Sequence, residues 1–600
     1  MFFGQQLEHD PSLKKPQRLF FILIGALFLI APFYYQPNLG GEGLFIPHNS
    51  ALWIVACWVI ASASYIVYKS KQIILPRYWF GLALLPIGAI LTGFIAENNN
   101  PTEWIVRISV IIGGYLFLIS LFQFQLSSRH IERSLYIILA MGLIVSTYGL
   151  IQTQTGAKGL SFIPLSANFA PVGIFQHINL QVSFMATLLT LCFYISSRPS
   201  LDTFSILIKI TLVLTVAIAT YTIVISGSRT GLLACIVSLV LFFIGRLSCY
   251  KNRKTILVSL FIAMAIGGYL GKDGIRETTY KINETVDGME TDMRWNIYSI
   301  SWDLYQQAPL FGHGIGSFQK VFQEKRQEYQ QNEGWSLGRA ARFSHPHNEM
   351  IFWLVEGGLV AIIGIICAAV FTFLQLMKAG WQRGWGYAAL LVPITLHTQV
   401  ELPFYISNTH WFLILFLLFV VHQHKKTKAS IKALSLSAQK LIPLSFTLLA
   451  FLSTNFLIHS QAANAGIINY LKHRQNNPLF LKTAVNNAYF REYSTYLLLR
   501  HNMYIGISEN NLDPANDYIH WASKSIEVIP AVTTYRDLVI AYNFKGDTFN
   551  RDKALDKALN IYPQDSSLLN LKQKIHLNDQ SKLRNEQGAS QAQSQANPPQ

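Results

Sequence analysis

Long apolar segments separated by short polar ones recur along most of the chain. A helix needs about 20 mainly apolar residues to cross the hydrocarbon core of a bilayer. About thirteen segments fit this pattern: 19–36, 50–68, 76–96, 104–125, 134–153, 178–197, 205–226, 230–248, 255–271, 349–377, 384–402, 409–424 and 441–460. The sequence therefore predicts an all-α polytopic membrane protein with about 13 transmembrane helices.

Two polar regions interrupt or follow these apolar segments. The first is a large loop between the ninth and tenth spans, and the second is a helical region after the last span. The predicted parts are an N-terminal membrane body, a loop, a second membrane body, a helical region and a disordered tail. They cover 1–271, 272–348, 349–460, 461–578 and 579–600. The tail is rich in Gln, Ser, Asn and Pro, which bury too little apolar surface to order the chain.

The charges give the predicted orientation. The 600 residues are 51% apolar and 13% charged, and the net charge is +16. Lys and Arg cluster in alternate short loops, as expected of cytoplasmic loops, whereas the short loops on the other side contain only Lys158 and Arg229. This pattern places the N-terminus in the cytoplasm and both polar regions outside it. The positive charge therefore reflects topology and does not indicate a nucleic-acid surface.

The clearest element of the large loop is a predicted helix at about 293–307. Trp295, Tyr298, Trp302 and Tyr305 recur at three- and four-residue steps, so they share one helical face. The favoured interpretation is an amphipathic helix on the bilayer surface. A platform on which sugars stack is the alternative.

The C-terminal region carries a weak repeat. "WASKSIEVIP" at 521–530 and "ALDKALNIYP" at 554–563 align with their prolines 33 residues apart, close to the tetratricopeptide period of about 34. We expect packed helical hairpins here, and a peptide-binding groove is the less conservative alternative.

Two histidines in "FSHPHNEM" precede the tenth span. Asn348 is a good N-cap for a helix that begins at Glu349, so His347 lies at the positive end of that helix, which favours a neutral imidazole. A general base needs a neutral imidazole at neutral pH. The nearest further ligands in sequence, His313 and Glu349, have no metal-site spacing. The sequence thus favours catalysis or substrate contact over a metal or a structural cap.

Four charged residues lie at or near membrane depth on the outer side. Such charges are costly in lipid and indicate function or a buried partner. They are Arg107, Arg229, Glu356 and Glu401. Guanidinium groups match phosphate oxygens in a bidentate way, so a lipid-borne diphosphate is a plausible ligand. The sequence contains no P-loop and no nucleotide fingerprint.

Three longer stretches together resemble the O-antigen ligase and polymerase superfamily: "SGSRTGLLA" (226–234), "RWNIYSISWDLYQQAPLFGHGIGSF" (294–318) and "HPHNEMIFWLVEGGLVA" (345–361). Two further stretches, "GIFQHINLQVSFMAT" (173–187) and "LHTQVELPFY" (396–405), are similar to elements of the PglL-like bacterial protein O-oligosaccharyltransferases. The resemblance covers roughly residues 140–425 and leaves out the C-terminal helical region. Ala361 departs from the pattern, because a second glycine or a small polar residue is common there.

The resemblance implies an enzyme of the bacterial inner membrane with its active site in the periplasm. It would transfer an oligosaccharide from undecaprenyl diphosphate to Ser or Thr of a periplasmic or pilin-like protein, and would need no metal or other cofactor. His347 would be the catalytic base, and Arg229 and Arg294 would contact the diphosphate. Supporting residues would be Gln176, Asn179, His345, Asn348, Glu401 and Tyr405.

Three other functions stay open at this point. A ligase to lipid A-core and a polymerase of the repeat unit would share the donor and the histidine, and only the acceptor separates them. A lipid or glycan transporter belongs to a different class. The sequence shows no matching halves with interrupted helices, which favours an enzyme.

Overall fold

A computed structural model describes residues 14–96, 100–166, 168–286, 293–332, 343–423, 430–472 and 477–596. Helices α1–α9 are Lys14–Gly25, Pro47–Ser70, Trp79–Ile95, Pro101–Gln123, Ser128–Thr155, Ile178–Ser196, Ile206–Ile225, Arg229–Arg246 and Lys254–Leu270. Helices α10–α16 are Asp273–Val286, Met293–Gln307, Phe318–Asn332, Glu349–Ala379, Trp381–His397, Pro403–Ile406 and Asn408–His422. Helices α17–α23 are Leu436–Lys472, Lys482–Val485, Arg491–Ser508, Asp513–Val528, Val532–Lys545, Thr548–Ile561 and Ser566–Ala596. The strands β1 and β2 are Gln72–Leu75 and Ser430–Ala433.

Each predicted span coincides with a helix, and the all-α polytopic class is confirmed. Within the described residues, nine helical segments are long and apolar enough to cross a membrane, or ten if α9 and the start of α10, bent by 70°, count as one. Helices α3 and α16 are shorter apolar helices. The chain is a multi-pass membrane protein, and the count of thirteen spans and their orientation stay predictions.

Helix α6 forms the centre of the membrane body. Its apolar stretch is 89% buried, and it packs against α5, α7, α8 and α14. Because α6 is surrounded by other helices, its first turn is fixed among them. That turn follows Gln176 and His177, and so it brings a predicted site segment to one end of the bundle.

The two strands join segments that lie far apart in the chain. They pair antiparallel, with Gln72 opposite Ala433 and Leu75 opposite Ser430. The sequence predicts that both segments are cytoplasmic, and the pairing agrees with their lying at the same end of the bundle. At the other end of the bundle, the backbone N–H of Leu44 donates a hydrogen bond to the hydroxyl oxygen of Tyr489 at 3.2 Å.

The predicted helix of the large loop is present with the expected bounds, as α11. It buries Ile297, Ile300 and Leu304 and packs against α12 and α13. Trp295 and Trp302 remain 70% and 53% exposed. The aromatic face is therefore turned outwards, where it lines a shallow cavity of about 440 Å³ together with the start of α13.

Helix α13 is interrupted at Gly358, whose φ of 58° and ψ of −161° are not helical. A loop segment, residues 309–314, fills the interruption with backbone hydrogen bonds. The N–H of His313 donates to the carbonyl of Val355 at 2.8 Å, and the N–H of Leu359 donates to the carbonyl of Pro309 at 2.9 Å. A Cβ on Gly358 would lie 2.5 Å from the carbonyl oxygen of Leu310, so only glycine allows this close approach.

The C-terminal region consists of helices packed in sequence order, α19 on α20, α20 on α21 and α21 on α22. Pro530 follows α20 and Pro563 follows α22, so the two aligned prolines occupy equivalent positions between helices. Helix α23 continues to Ala596, beyond the point where the sequence predicts a disordered tail from 579. Gln, Lys and Ala are good helix formers, which allows the helix to extend there.

Candidate active site

His347 lies at the start of α13, as the sequence predicts. Asn348 is the N-cap, and its side chain accepts a hydrogen bond from the N–H of Ile351 at 3.0 Å. The Asn348 amide nitrogen also donates to the carbonyl of Gln399 at 2.9 Å, and the N–H of Glu349 donates to the carbonyl of Thr398 at 2.9 Å. These bonds join the start of α13 to the turn that follows α14.

That turn brings Glu401 to His347. The predicted span ends at residue 402, but α14 ends at His397, and Glu401 lies in the turn after it, with its N–H donating to the His397 carbonyl at 3.0 Å. His347 Nδ1 lies 2.9 Å from Glu401 Oε1. Burial alone would raise the pKa of Glu401, but the hydrogen bond from His347 and the proximity of the other histidines lower it to about 2. Glu401 is therefore a carboxylate at neutral pH, and it can fix the tautomer and orientation of the imidazole.

His345 supports His347 from the other side. The backbone N–H of His347 donates to His345 Nδ1 at 3.2 Å, and the two rings lie 4.5 Å apart. This contact holds His347 at a φ of 55°, a left-handed conformation that is uncommon for a residue other than glycine. Burial and the neighbouring His347 together lower the pKa of His345 to about 4, although Glu401 opposes both. His345 is neutral, as it must be to accept that hydrogen bond.

The structure adds a third possible metal ligand that sequence spacing did not reveal. The ligand atoms of His345, His347 and Glu401 lie within 4.8 Å of one another. The 2.9 Å between His347 Nδ1 and Glu401 Oε1 fits a direct N–H···O hydrogen bond. Two ligands of one zinc ion, each about 2.0–2.2 Å from the metal in a tetrahedral site, lie farther apart than this. The residues therefore fit a hydrogen-bonded pair better than a tetrahedral zinc site.

The first turn of α6 lies beside this pair. His177 is the residue before α6. Burial lowers the pKa of His177, Glu401 opposes this, and His347 lowers it as well. Gln176 adopts the left-handed conformation with a φ of 56°. Its Nε2 is buried with no hydrogen-bond partner among the described residues. Sequence reasoning missed His177, although it lies inside the quoted motif.

Ser228, the residue before Arg229, contacts this region through Asn179. Ser228, the N-cap of α8, donates from its hydroxyl to Asn179 Oδ1 at 2.9 Å and accepts from the N–H of Gly231 at 3.2 Å. Arg229 is the first residue of α8, so its positive charge is added to that of a helix N-terminus. The structure thus links Arg229, through Ser228 and Asn179, to the helix that begins next to His177.

Arg294 and Tyr405 occupy different surroundings. Arg294 is exposed at the start of α11. Tyr405 lies on the short helix α15, where its ring packs against Phe352 with centroids 5.5 Å apart and lies 5.0 Å from the Arg107 guanidinium. Burial raises the pKa of Tyr405 above its usual range, and Arg107 opposes this. The described contacts of the Tyr405 ring are thus with Phe352 and Arg107.

Arg107 is held by two carboxylates. Its Nε donates to Glu103 at 2.6 Å, and its Nη1 pairs with the fully buried Glu356. The other oxygen of Glu356 accepts from the N–H of Phe318 at 3.0 Å. The pair joins α4, α13 and the loop, so Glu356 neutralises Arg107, which is the structural pairing that the sequence left open.

A large apolar cavity begins at this arginine. Its volume is about 860 Å³, and it lies between α2, α4, α13 and α17. Arg107, Glu349 and Tyr405 line it together with Tyr489 of the C-terminal region. The cavity therefore has a polar end at Arg107, Glu349 and Tyr405 and a lining that is otherwise mostly apolar.

Two family models match this chain. Residues 214–366 match the family described as O-antigen ligase. Residues 385–575 match the family described as the C-terminal part of virulence factor membrane-bound polymerase. The chain is a multi-pass glycosyl-transferring membrane protein, and it belongs to the O-antigen ligase and polymerase superfamily. A search of curated proteins finds none that matches it.

The second family match corrects one expectation. The resemblance seen in the sequence leaves out the C-terminal helical region, but the match includes most of that region together with Glu401 and Tyr405. The expectation was wrong because helical repeats have few invariant residues, so their short motifs carry little information.

Proposed function

We propose that this chain transfers an oligosaccharide en bloc from undecaprenyl diphosphate to a Ser or Thr hydroxyl of a periplasmic or pilin-like protein. The hydrogen bond between His347 Nδ1 and Glu401 is the observation that carries the proposal. It leaves Nε2 of a 33% exposed side chain to accept a proton. The superfamily supports a lipid-linked glycan donor, and the bilayer is the second partner.

The proposed reaction is a single displacement. The acceptor oxygen attacks the anomeric carbon while its proton moves to His347 Nε2, and the bond between that carbon and the phosphate oxygen breaks. The glycan inverts at this carbon, and undecaprenyl diphosphate leaves with the bonding electrons. Glu401 stabilises the imidazolium that forms. The rate enhancement comes from the positioning of donor and acceptor and from general-base catalysis by His347.

The donor has two features for which the structure offers contacts. Its diphosphate carries charge that Arg229 at the N-terminus of α8 would neutralise, with Arg294 as a second candidate contact. Its polyprenyl chain is apolar, and the cavity of about 860 Å³ would accommodate part of it. Asn179 and Gln176 would orient the donor between the arginine and the histidine.

Two kinds of acceptor compete: a protein, and a lipid A-core or glycan repeat unit. The matched families are described as a ligase and a polymerase, which favours lipid A-core or a glycan repeat unit as acceptor. The Glu-x-Pro element at Glu401 favours a protein acceptor.

Deletion of the gene separates these acceptors. Intact masses of pilin-like and other periplasmic proteins would be measured beside a lipopolysaccharide ladder, with a strain that carries His347→Ala as the matched control. Loss of a glycan mass from protein with an unchanged ladder supports the proposal. An altered ladder with unchanged protein masses would select the ligase or the polymerase.

A further inference from the structure

Arg326 on α12 is a buried arginine outside the site described above. It is 1% exposed, and its guanidinium carbon lies 5.9 Å from the ring centre of Phe343 and 5.6 Å from that of Tyr562. Both distances are within the range of a cation–π contact, which is strongest where water is excluded. One arginine of the outer loop thus lies between the segment that precedes the histidines and the C-terminal helical region.

The contact is part of a wider interface. Helix α12 packs against α11 and α13 on the membrane side and against α20 and α22 of the C-terminal region. Tyr562 follows α22, and its hydroxyl donates to the carbonyl of Pro530 after α20. The ring that meets Arg326 is therefore fixed by both repeat units of the C-terminal region.

On the other side, Phe343 belongs to a small aromatic core. Its ring lies 5.7 Å from that of Phe322, and Phe322 stacks on Phe318 at 5.1 Å. Phe318 packs on Phe352, which packs on Tyr405. This core touches both halves of the site, because Phe343 precedes His345 by two residues and Leu402, also in the core, follows Glu401.

We propose that Arg326 is a positioning residue through which the C-terminal helical region holds the His345–His347 segment against Glu401. The proposal deepens the proposed function and rests on it for the catalytic consequence. Its structural part, that the C-terminal region restrains the histidine segment, is independent of the substrate. It assigns a role in the reaction to a region for which the sequence offers only a helical repeat.

The test measures the histidine segment directly. The full-length protein in lipid nanodiscs would be treated with diethyl pyrocarbonate, which modifies neutral imidazole, and the labelling rates of His345 and His347 would be read by peptide mass spectrometry against pH. In Arg326→Ala, we expect both rates to rise about twofold or more, because the segment opens locally. The labelling rates in Arg326→Lys should lie between those of Arg326→Ala and the wild type, since lysine keeps the charge but lacks the planar stacking group.

Two controls separate positioning from general loss of structure. Arg551→Ala removes another buried arginine, 4% exposed, whose described partners Asn543, Asp552 and Asp579 all lie in the C-terminal region, and the labelling rates should stay at the wild-type value. Tyr562→Phe keeps the ring but loses the hydroxyl bond to Pro530, so its labelling rates should lie at or slightly above the wild-type values, whereas Tyr562→Ala should resemble Arg326→Ala. This pair decides the question even if Arg326→Ala does not fold.

Transfer kinetics complete the test. For Arg326→Ala, we expect kcat to fall about 10- to 100-fold, as for a small displacement of a catalytic group, with little change in the KM for the donor. Wild-type labelling rates in both Arg326→Ala and Tyr562→Ala would overturn the proposal, as would equal effects in Arg551→Ala. If His347→Ala retained transfer, the proposed function would fall while the labelling result still decided the coupling.

Discussion

Glu401 Oε1 lies 2.9 Å from Nδ1 of His347, although 54 residues separate the two in the chain. His347 lies just before α13 and Glu401 lies in the turn after α14, and hydrogen bonds from the Asn348 side chain and the Glu349 backbone join these two segments. The pair is thus formed where two helix ends meet.

The first prediction concerns this pair. His347→Ala should abolish measurable glycan transfer, because a general base contributes roughly 10²–10⁴-fold, while membrane insertion and folding stay intact. Glu401→Gln should lower kcat by a smaller factor, since the imidazole survives but loses its carboxylate partner. Transfer would be followed by intact mass of the acceptor, with His520→Ala, an exposed histidine of the C-terminal region, as control. Wild-type transfer by His347→Ala would exclude the general-base role.

Chelation tests the metal interpretation. Because the His347–Glu401 distance fits a direct hydrogen bond, we expect EDTA treatment followed by removal of the chelator to leave the transfer rate of the purified protein unchanged. Total metal content would be measured in parallel. A loss of rate that Zn²⁺ restores would show instead that His345, His347 and Glu401 bind a metal.

Arg229 gives a prediction about the donor. Arg229→Lys replaces a bidentate fork with a point charge, so transfer at low donor concentration should fall about 10- to 100-fold, as expected for the loss of a charged hydrogen bond. Arg253→Lys is the matched control, because Arg253 pairs with Asp202 near the start of α9. Near-normal transfer by Arg229→Lys would argue against contact with the diphosphate.

The pKa of His345 predicts a dependence of stability on pH. Since the pKa falls from 6.5 in the unfolded chain to about 4 in the folded one, the unfolded chain binds the proton first as pH falls. The free energy of unfolding is therefore not reduced by His345 above pH 6.5, and protonation of His345 in the unfolded chain lowers it by about 2 kcal/mol at pH 5. Glu401 does not contribute in this window, because its loss occurs between pH 4.5 and about 2.

The measurement compares wild type with His345→Asn, which keeps a hydrogen-bond acceptor but does not titrate. The melting temperature of the wild type should fall more between pH 7 and pH 5 than that of the variant. Other buried histidines are present in both proteins and cancel in the comparison. Parallel curves would show that folding does not lower the pKa of His345.

The buried pair of Arg107 and Glu356 predicts a structural phenotype. Glu356→Leu alone leaves Arg107 without its buried partner, and the expected loss of stability is about 3–5 kcal/mol. The double variant Arg107→Met with Glu356→Leu removes both charges and should recover much of that loss. Thermal unfolding of the purified proteins measures this. If Glu356→Leu had wild-type stability, the pair would have no structural role.

Much of the site could be predicted because its residues are local in sequence. The N-cap at Asn348, the start of α13 and the bounds of α11 follow from side chains within a few positions of one another. Positions near the membrane surface were also predictable, because charge in lipid is costly wherever it occurs. The fold class follows from hydropathy alone.

The rest depends on contacts between distant segments. The sequence gives no indication that Glu356 pairs with Arg107 and Glu401 with His347, because each carboxylate is compatible with several arginines or histidines. His177 was missed for a related reason. A single histidine before a helix has no periodic signal, and its place beside Glu401 follows only from the packing of α6 against α14.

The interruption of α13 at Gly358 bears on how members of this superfamily can be recombined. Residues 309–314 supply the backbone partners that the helix lacks, so the loop and the span form one unit of exchange. A chimaera that takes the large loop from another member should also take the residues around Gly358 from the same parent. A swap of the loop alone would leave part of a membrane helix without its backbone hydrogen-bond partners.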